Sequence, residues 1–222
     1  IWLDLLALIG FAIMGYGLYR RWLLWTAMGK PEVRNDNMGE RIKSLLRNGI
    51  VQMPVWRDFY PGLMHGLIFF AFFVLIWGAA FDAFQHYSGI HFLGKPYLVF
   101  SFIMDIFGLA AIVGVVMAIN RRYFEKPDRL GYKGKIDNRV DDAIVLVLIL
   151  AIMVTGFLIE GVRIAAFDFP SFEKWSFVGY ITAQMFQGIS LSTLKITHTG
   201  LWWFHALLGI GFIAYIPYSR LL

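Results

Sequence analysis

Two imidazoles stand seven residues apart in the run Ile196-Thr197-His198-Thr199-Gly200-Leu201-Trp202-Trp203-Phe204-His205-Ala206-Leu207-Leu208-Gly209. On one helix that spacing is about two turns, roughly 10 Å of rise, so both rings point to nearly the same face. An ionisable side chain inside a lipid-spanning helix is a functional candidate by default, and imidazole directs attention to metal, most often haem iron. Either ring could instead hydrogen-bond a neighbouring helix, and His198, near the start of the segment, could rest among lipid headgroups. His205 sits deeper, and Gly209 one turn on and Gly200 one turn before leave room for a bulky group. The other histidines are His65, beside Gly66, and His86 and His91. Asp105, Glu160 and Arg163 are further charges in apolar surroundings, the last two spaced to pair on one helical face.

The elements that must position these groups are membrane helices. Of 222 residues 59% are hydrophobic and only 16% charged, and the mean hydropathy is +0.63, too apolar for a soluble domain of this length. Apolar runs long enough to cross a hydrocarbon core of about 30 Å lie at about 1–25, 62–83, 97–119, 143–164 and 198–218. The expected fold is therefore an all-α, five-helix transmembrane bundle forming a single domain over 1–222. Its first residue is Ile1 and its last, Leu222, ends an apolar stretch, so it is expected to continue into a further, cytoplasmic region. Met38 to Gln52 reads as an amphipathic surface helix with Ile42, Leu45, Leu46 and Ile50 on one side, either docked or simply solvated. The connection from Ala165 to Lys195, with Trp175, Phe177, Tyr180 and Phe186, reads as a segment in the membrane interface. With no cysteine, the chain itself can hold no iron–sulfur cluster, disulfide or covalently attached haem, so any haem is b-type.

Charge sets the orientation. Eight Lys and Arg fall between Arg20 and Arg57 and seven between Arg121 and Arg139, against one (Lys95) and three (Arg163, Lys174, Lys195) in the two opposite connections. The basic loops are expected to be cytoplasmic, with the N-terminus outside and the C-terminus inside. The net charge of +5 is spread over loops and is no nucleic-acid signature. In this frame His65 lies near the cytoplasmic surface, and His86, His91, Lys95 and His198 lie near the outer one. His205 is about two turns in from outside. His86 and His198 match in depth if their helices run antiparallel; His65 and His205 do not.

Several motifs resemble the membrane cytochrome b family of the respiratory nitrate reductase gamma subunit. They are Gly62-Leu63-Met64-His65-Gly66-Leu67-Ile68-Phe69-Phe70, Asp105-Ile106-Phe107-Gly108, and Arg121-Arg122-Tyr123 with Pro127 and Arg129-Leu130. Two more are Thr155-Gly156-Phe157-Leu158-Ile159-Glu160-Gly161-Val162-Arg163, and Trp202-Trp203-Phe204-His205 followed by Ile216-Pro217-Tyr218-Ser219-Arg220. The closest likeness is to the form found with heterodisulfide-reductase-like iron–sulfur proteins, which includes reductases passing electrons from electron-transfer flavoprotein to quinone. The resemblance covers essentially all five spans. It implies one or two b haems between the second and fifth helices, with a quinone site near the outer haem. It places His65 as an inner-haem ligand whose partner falls just past Leu222, and His205 as an outer-haem ligand. The usual outer partner corresponds to Leu75, which cannot ligate, so the outer haem would be rebuilt from His86 with His198 or His205, or be absent. Lys95 matches a lysine associated with quinone binding.

The expected function is a haem b subunit of the inner, cytoplasmic membrane carrying electrons between quinone and a cytoplasmic partner that holds iron–sulfur clusters or flavin. Lys95, His86 and His91 could donate to quinone carbonyls, and Arg57 and Arg220 could compensate haem propionates or anchor the surface. Glu160 with Arg163 reads as a structural ion pair, and Asp105 either accepts a hydrogen bond within the bundle or carries protons. Two rivals remain open: a proton or solute transporter using His65, Asp105, Glu160 and His205, and a membrane anchor without cofactor.

Overall fold

A peptide group in hydrocarbon has no solvent to bond to, so an apolar run satisfies its backbone internally by coiling into a helix. The computed structural model, which describes residues 2–29, 35–125 and 136–221, has five long helices: α1 (Trp2–Ala27), α3 (Phe59–Ser88), α4 (Lys95–Ile119), α5 (Ile136–Ala166) and α7 (Leu191–Tyr215). All five contain stretches long and apolar enough to cross a membrane, and no strand occurs among the described residues. Two short helices, α2 (Met38–Ser44) and α6 (Phe177–Ala183), sit in the connections. Pro127, Arg129 and Leu130 of the resemblance, and the loop cations Lys30, Arg34, Lys126, Lys133 and Lys135, lie outside the described residues.

The helices overrun the predicted spans because polar residues at their ends still cap and extend them. Gly89, at φ 71°, takes the left-handed conformation that stops α3. Ser190 caps α7 by accepting from the Thr193 amide at 3.3 Å. α7 starts at Leu191, earlier than the span read from hydropathy. His198 is two turns into the helix, and His205, fourteen residues or about 21 Å from its start, lies just past the middle of the helix.

α3 packs on α4, α4 on α5, α5 on α7 and α7 on α1, while α6 is wedged against α5 and α4. Small residues set these approaches, as lipid-embedded helices require. A Cβ on Gly114 of α4 would lie 2.8 Å from Ile68 Cγ1 of α3, and one on Gly10 of α1 would lie 2.6 Å from Ile210 Cγ2 of α7. Bulk is kept for the centre, where Val115, Val145, Ile149 and Phe212 form the buried core with Ile68, Phe72 and Tyr215 around it. Large apolar side chains such as Trp2, Phe59 and Ile196 face outward and are about three-quarters exposed, as a lipid-facing surface demands.

One end of the bundle gathers cations and is tightly braced. Arg21 of α1 donates to the carbonyls of Pro217 (2.7 Å) and Ser219 (3.0 Å) in the turn after α7. Asp141 of α5 accepts from the Tyr215 hydroxyl and the Arg220 amide, and Asp142 pairs with Arg122 and, at 3.6 Å, with Arg220. Arg220, a candidate propionate partner, is thus engaged by an aspartate; Arg57 is exposed. Leading into α3, α2 runs on into a π-helical stretch (Leu45–Ile50), so the expected surface helix is helical as far as Ile50; a 3₁₀ helix (Met53–Arg57) follows, and Ile42, Leu45, Leu46 and Ile50 are each about half exposed or more. At the opposite end Tyr87 of α3 hydrogen-bonds Asp4 of α1, bringing the two edges of the helix row together.

Candidate redox site: facing histidine stripes and a polar-floored cavity

Residues seven apart share a helix face, so His198, His205, Phe212 and Ser219 form one stripe along α7 and its continuation, and His65, Phe72, Ala79 and His86 form one along α3. The rings of Phe72 and Phe212 meet at 5.7 Å between centroids and fix the register of the two antiparallel helices. Counting outward in sevens from that contact puts His65 level with Ser219, Ala79 with His205, and His86 with His198. His65 and His205 are then fourteen residues, or about 21 Å, apart along the bundle and cannot grip one porphyrin between them. His86 and His198 share a level, as the antiparallel expectation had it. His198 is half-buried and His86 exposed.

The two deeper histidines are held differently. His205 is half-buried, with Nδ1 2.9 Å from Thr155 Oγ1 on α5. Beside its ring is Gly156, where a Cβ would come within 3.6 Å of His205 Cε1. Gly209 shares the face of His205, and a Cβ there would meet nothing within 4 Å. Gly200 is equally open but, five residues away, is turned about 140° round the helix, so the idea that it clears space beside His205 is corrected. His65 stacks on Phe69 at 5.9 Å, and its Nε2 lies 2.5 Å from Gln52 Oε1. Gln52 adopts φ 56° in the irregular segment before α3, which folds its side chain toward that ring.

A second feature lies at the end remote from the cations. A cavity of about 630 Å³ opens between the α3–α4 connection and the α5–α6 connection, lined mostly by Phe92, Leu98, Phe167, Pro170 and Phe172, with Tyr97, Arg163 and Glu173 as its polar groups. Its volume falls in the range of small-molecule sites, and an apolar wall with a few convergent polar atoms is their usual composition. The polar groups form one network. Glu173, buried, accepts from Tyr97 OH (2.9 and 3.0 Å), from Arg163 Nη1 (2.5 Å) and Nη2 (3.1 Å), and from Ser176 Oγ (3.4 Å), while Arg163 Nη2 also reaches Tyr97 OH at 3.1 Å. Glu160 stands 3.8 Å from Arg163, so the expected Glu160–Arg163 pair is present but secondary to Glu173. Behind it, buried Asp105 accepts from the amides of Val178 (2.6 Å) and Gly179 (3.4 Å) at the start of α6, one of the two roles anticipated for it. The α5–α7 connection, read as an interfacial segment, therefore also packs inward: Ser176, Gly179 and Ala183 are buried while Trp175 stays about half exposed.

Lys95, His86 and His91 sit at the same end but are exposed, and none of them lines this cavity. Sequence reasoning missed Tyr97, Glu173, Thr155 and Gln52. Glu173 carried a signal: it is a carboxylate between Phe172 and Trp175 in a segment otherwise suited to lipid contact. Thr155 opens one of the resemblance motifs, but its type gave no pointer to a ring partner, since a threonine in a membrane helix satisfies itself on its own backbone. Among the described residues no three or more His, Asp or Glu side chains gather into a cage for a bare metal ion. A porphyrin has a lower requirement, because it brings four nitrogens and asks the protein only for axial ligands.

Over 224 residues the chain is 34% identical to a Syntrophomonas wolfei protein named EtfAB:quinone oxidoreductase, an alignment covering 96% of the chain and 30% of that protein. Over 225 residues it is 25% identical to a Bacillus subtilis protein named probable iron-sulfur-binding oxidoreductase FadF, again across 96% of the chain and 30% of the relative. The chain thus spans about 30% of the length of the curated relatives it matches. Both are named as oxidoreductases, the class to which the sequence resemblance pointed. No family model and no solved structure matches it.

Proposed function

We propose that this chain is the membrane electron-transfer module of a quinone-linked oxidoreductase. It would hold b haem on His205 and offer quinone the cavity above Tyr97, Arg163 and Glu173. The observation that carries the reading is His205 itself, an imidazole past mid-helix whose Nδ1 is engaged by Thr155, with glycine rather than bulk beside its ring. The residues fit the group: small Ala79 faces His205 across the α3–α7 seam, and α3 and α7 are not a closely packed pair among the described residues. Bound haem would supply one-electron iron chemistry in a layer that excludes ions. His86 stands level with His198, about 10 Å along the bundle from His205, so His205 is the one axial ligand we assign. His65 would serve a second haem near the basic end only after Gln52 leaves its Nε2.

Reduction of a quinone takes two electrons and two protons, and the oxidation of quinol returns them. The cavity suits either direction, because its apolar walls accept a ring and isoprenoid tail while Arg163, whose five N–H groups outnumber its bonds to Glu173 and Tyr97, presents a donor to a carbonyl oxygen. By the positive-inside rule the cationic end faces the cytoplasm of the inner membrane, which sets the cavity near the outer surface. The electron partner, an iron–sulfur or flavin protein, electron-transfer flavoprotein among the candidates, would dock on the cytoplasmic side. This follows the names of the relatives and their greater length.

The test is a dithionite-reduced minus oxidised visible spectrum of the purified full-length protein. A b-type band that is lost in His205→Ala supports the assignment. A colourless, folded protein would refute it and favour the buried Asp105, Glu160, Arg163 and Glu173 network as part of a transport path.

A further inference from the structure

Thr155 Oγ1 has three polar neighbours: the carbonyl oxygen of Ala151 at 2.7 Å, that of Ile152 at 3.1 Å, and His205 Nδ1 at 2.9 Å. A hydroxyl has one proton to give and lone pairs to accept with, whereas a carbonyl oxygen only accepts. Were Thr155 to give its proton to His205, its own oxygen would face the Ala151 carbonyl at 2.7 Å with no hydrogen between them. Donation backward to the carbonyl, the habit of threonine in a helix, removes that conflict and leaves the oxygen to accept from His205. The proton count therefore assigns the imidazole hydrogen to Nδ1 and the lone pair to Nε2.

We propose that Thr155 is a positioning residue that selects the Nδ1–H tautomer of His205 and aims its bare Nε2 as a metal ligand. The proposal rests on the haem reading above for its purpose but not for its geometry. Three features act together. The donor bond fixes the ring about its Cβ–Cγ axis, Gly156 lies beside the ring edge in ordinary contact range, and burial of Thr155 keeps water from competing for Nδ1. A hydrogen bond from Nδ1–H also makes the imidazole a stronger electron donor, which favours the ferric state of a bound haem. The pairing joins α5 to α7 across 50 residues of sequence.

The experiment compares wild type, Thr155→Val and Thr155→Ser as full-length proteins, with two readouts. The first needs no haem. In protein carrying ¹⁵N-labelled histidine, His205 assigned by its loss in His205→Ala, the nitrogen shifts report the tautomer. Wild type and Thr155→Ser are expected as Nδ1–H, and Thr155→Val as shifted toward Nε2–H. The second is haem binding and redox titration. Thr155→Val is expected to bind haem about ten- to a hundred-fold more weakly and to show a higher midpoint potential, with Thr155→Ser restoring both. If Thr155→Val fails to fold, Thr155→Ala takes its place under the same criteria. An Nε2–H tautomer in wild type, or a valine variant whose tautomer, affinity and potential are all unchanged, overturns the proposal. A wild-type protein with the Nδ1–H tautomer and no haem band would leave the positioning role standing and sink the haem assignment instead.

Discussion

Removing the carboxylate of Glu173 should be among the most damaging single changes in this bundle. Its two oxygens collect contacts from Tyr97, both Arg163 nitrogens and Ser176, and its side chain is only 3% exposed. In Glu173→Ala the guanidinium of Arg163 loses its 2.5 Å partner and keeps only the Tyr97 hydroxyl and Glu160 at 3.8 Å. Breaking a buried pair from one side costs about 3–5 kcal/mol, mostly for the charge left behind. Arg163 keeps a third of its side chain exposed, so water relieves part of that cost and about 3 kcal/mol is expected. Glu173→Gln, which keeps an acceptor for Arg163 but leaves its charge uncompensated, should lose somewhat less, about 2 kcal/mol. Replacing both partners by apolar residues, Arg163→Met with Glu173→Leu, should recover much of the loss, since no orphaned charge then remains. The assay is equilibrium unfolding in mixed micelles followed by tryptophan fluorescence. A loss below about 1 kcal/mol in Glu173→Ala, or a double variant worse than the single, would show that Arg163 does not depend on Glu173 as its geometry requires.

Other outcomes follow from the same contacts. Gly10→Ala puts a methyl 2.6 Å from Ile210 Cγ2 and should cost about 1–3 kcal/mol in the same assay, whereas Gly15→Ala, with nothing within 4 Å, should be neutral or slightly stabilising. Tyr97→Phe removes from the cavity floor the hydroxyl that donates to Glu173 and accepts from Arg163, and so loosens the guanidinium that faces the cavity. Quinone-dependent turnover should show a KM raised about tenfold, with the dithionite difference spectrum unchanged; an unchanged KM would place the quinone elsewhere.

The five spans were legible because helix formation in lipid is a local matter: each apolar run satisfies its own peptide groups without consulting the rest of the chain. The charge pattern and the identity of the histidines are equally local, so the candidates at His65, His86, His198 and His205 could be named at once. Partnership could not be read that way. Thr155 meets His205 across 50 residues, and Glu173 meets Tyr97 across 76. Those meetings depend on the relative slide of neighbouring helices, which is set by contacts such as Gly10 on Ile210 and Gly114 on Ile68. The sequence alone determined that imidazoles sit on the helices of a five-helix membrane bundle. Only the packed structure decided which side chain holds each ring, because helix register is a property of pairs of surfaces and no single segment contains it.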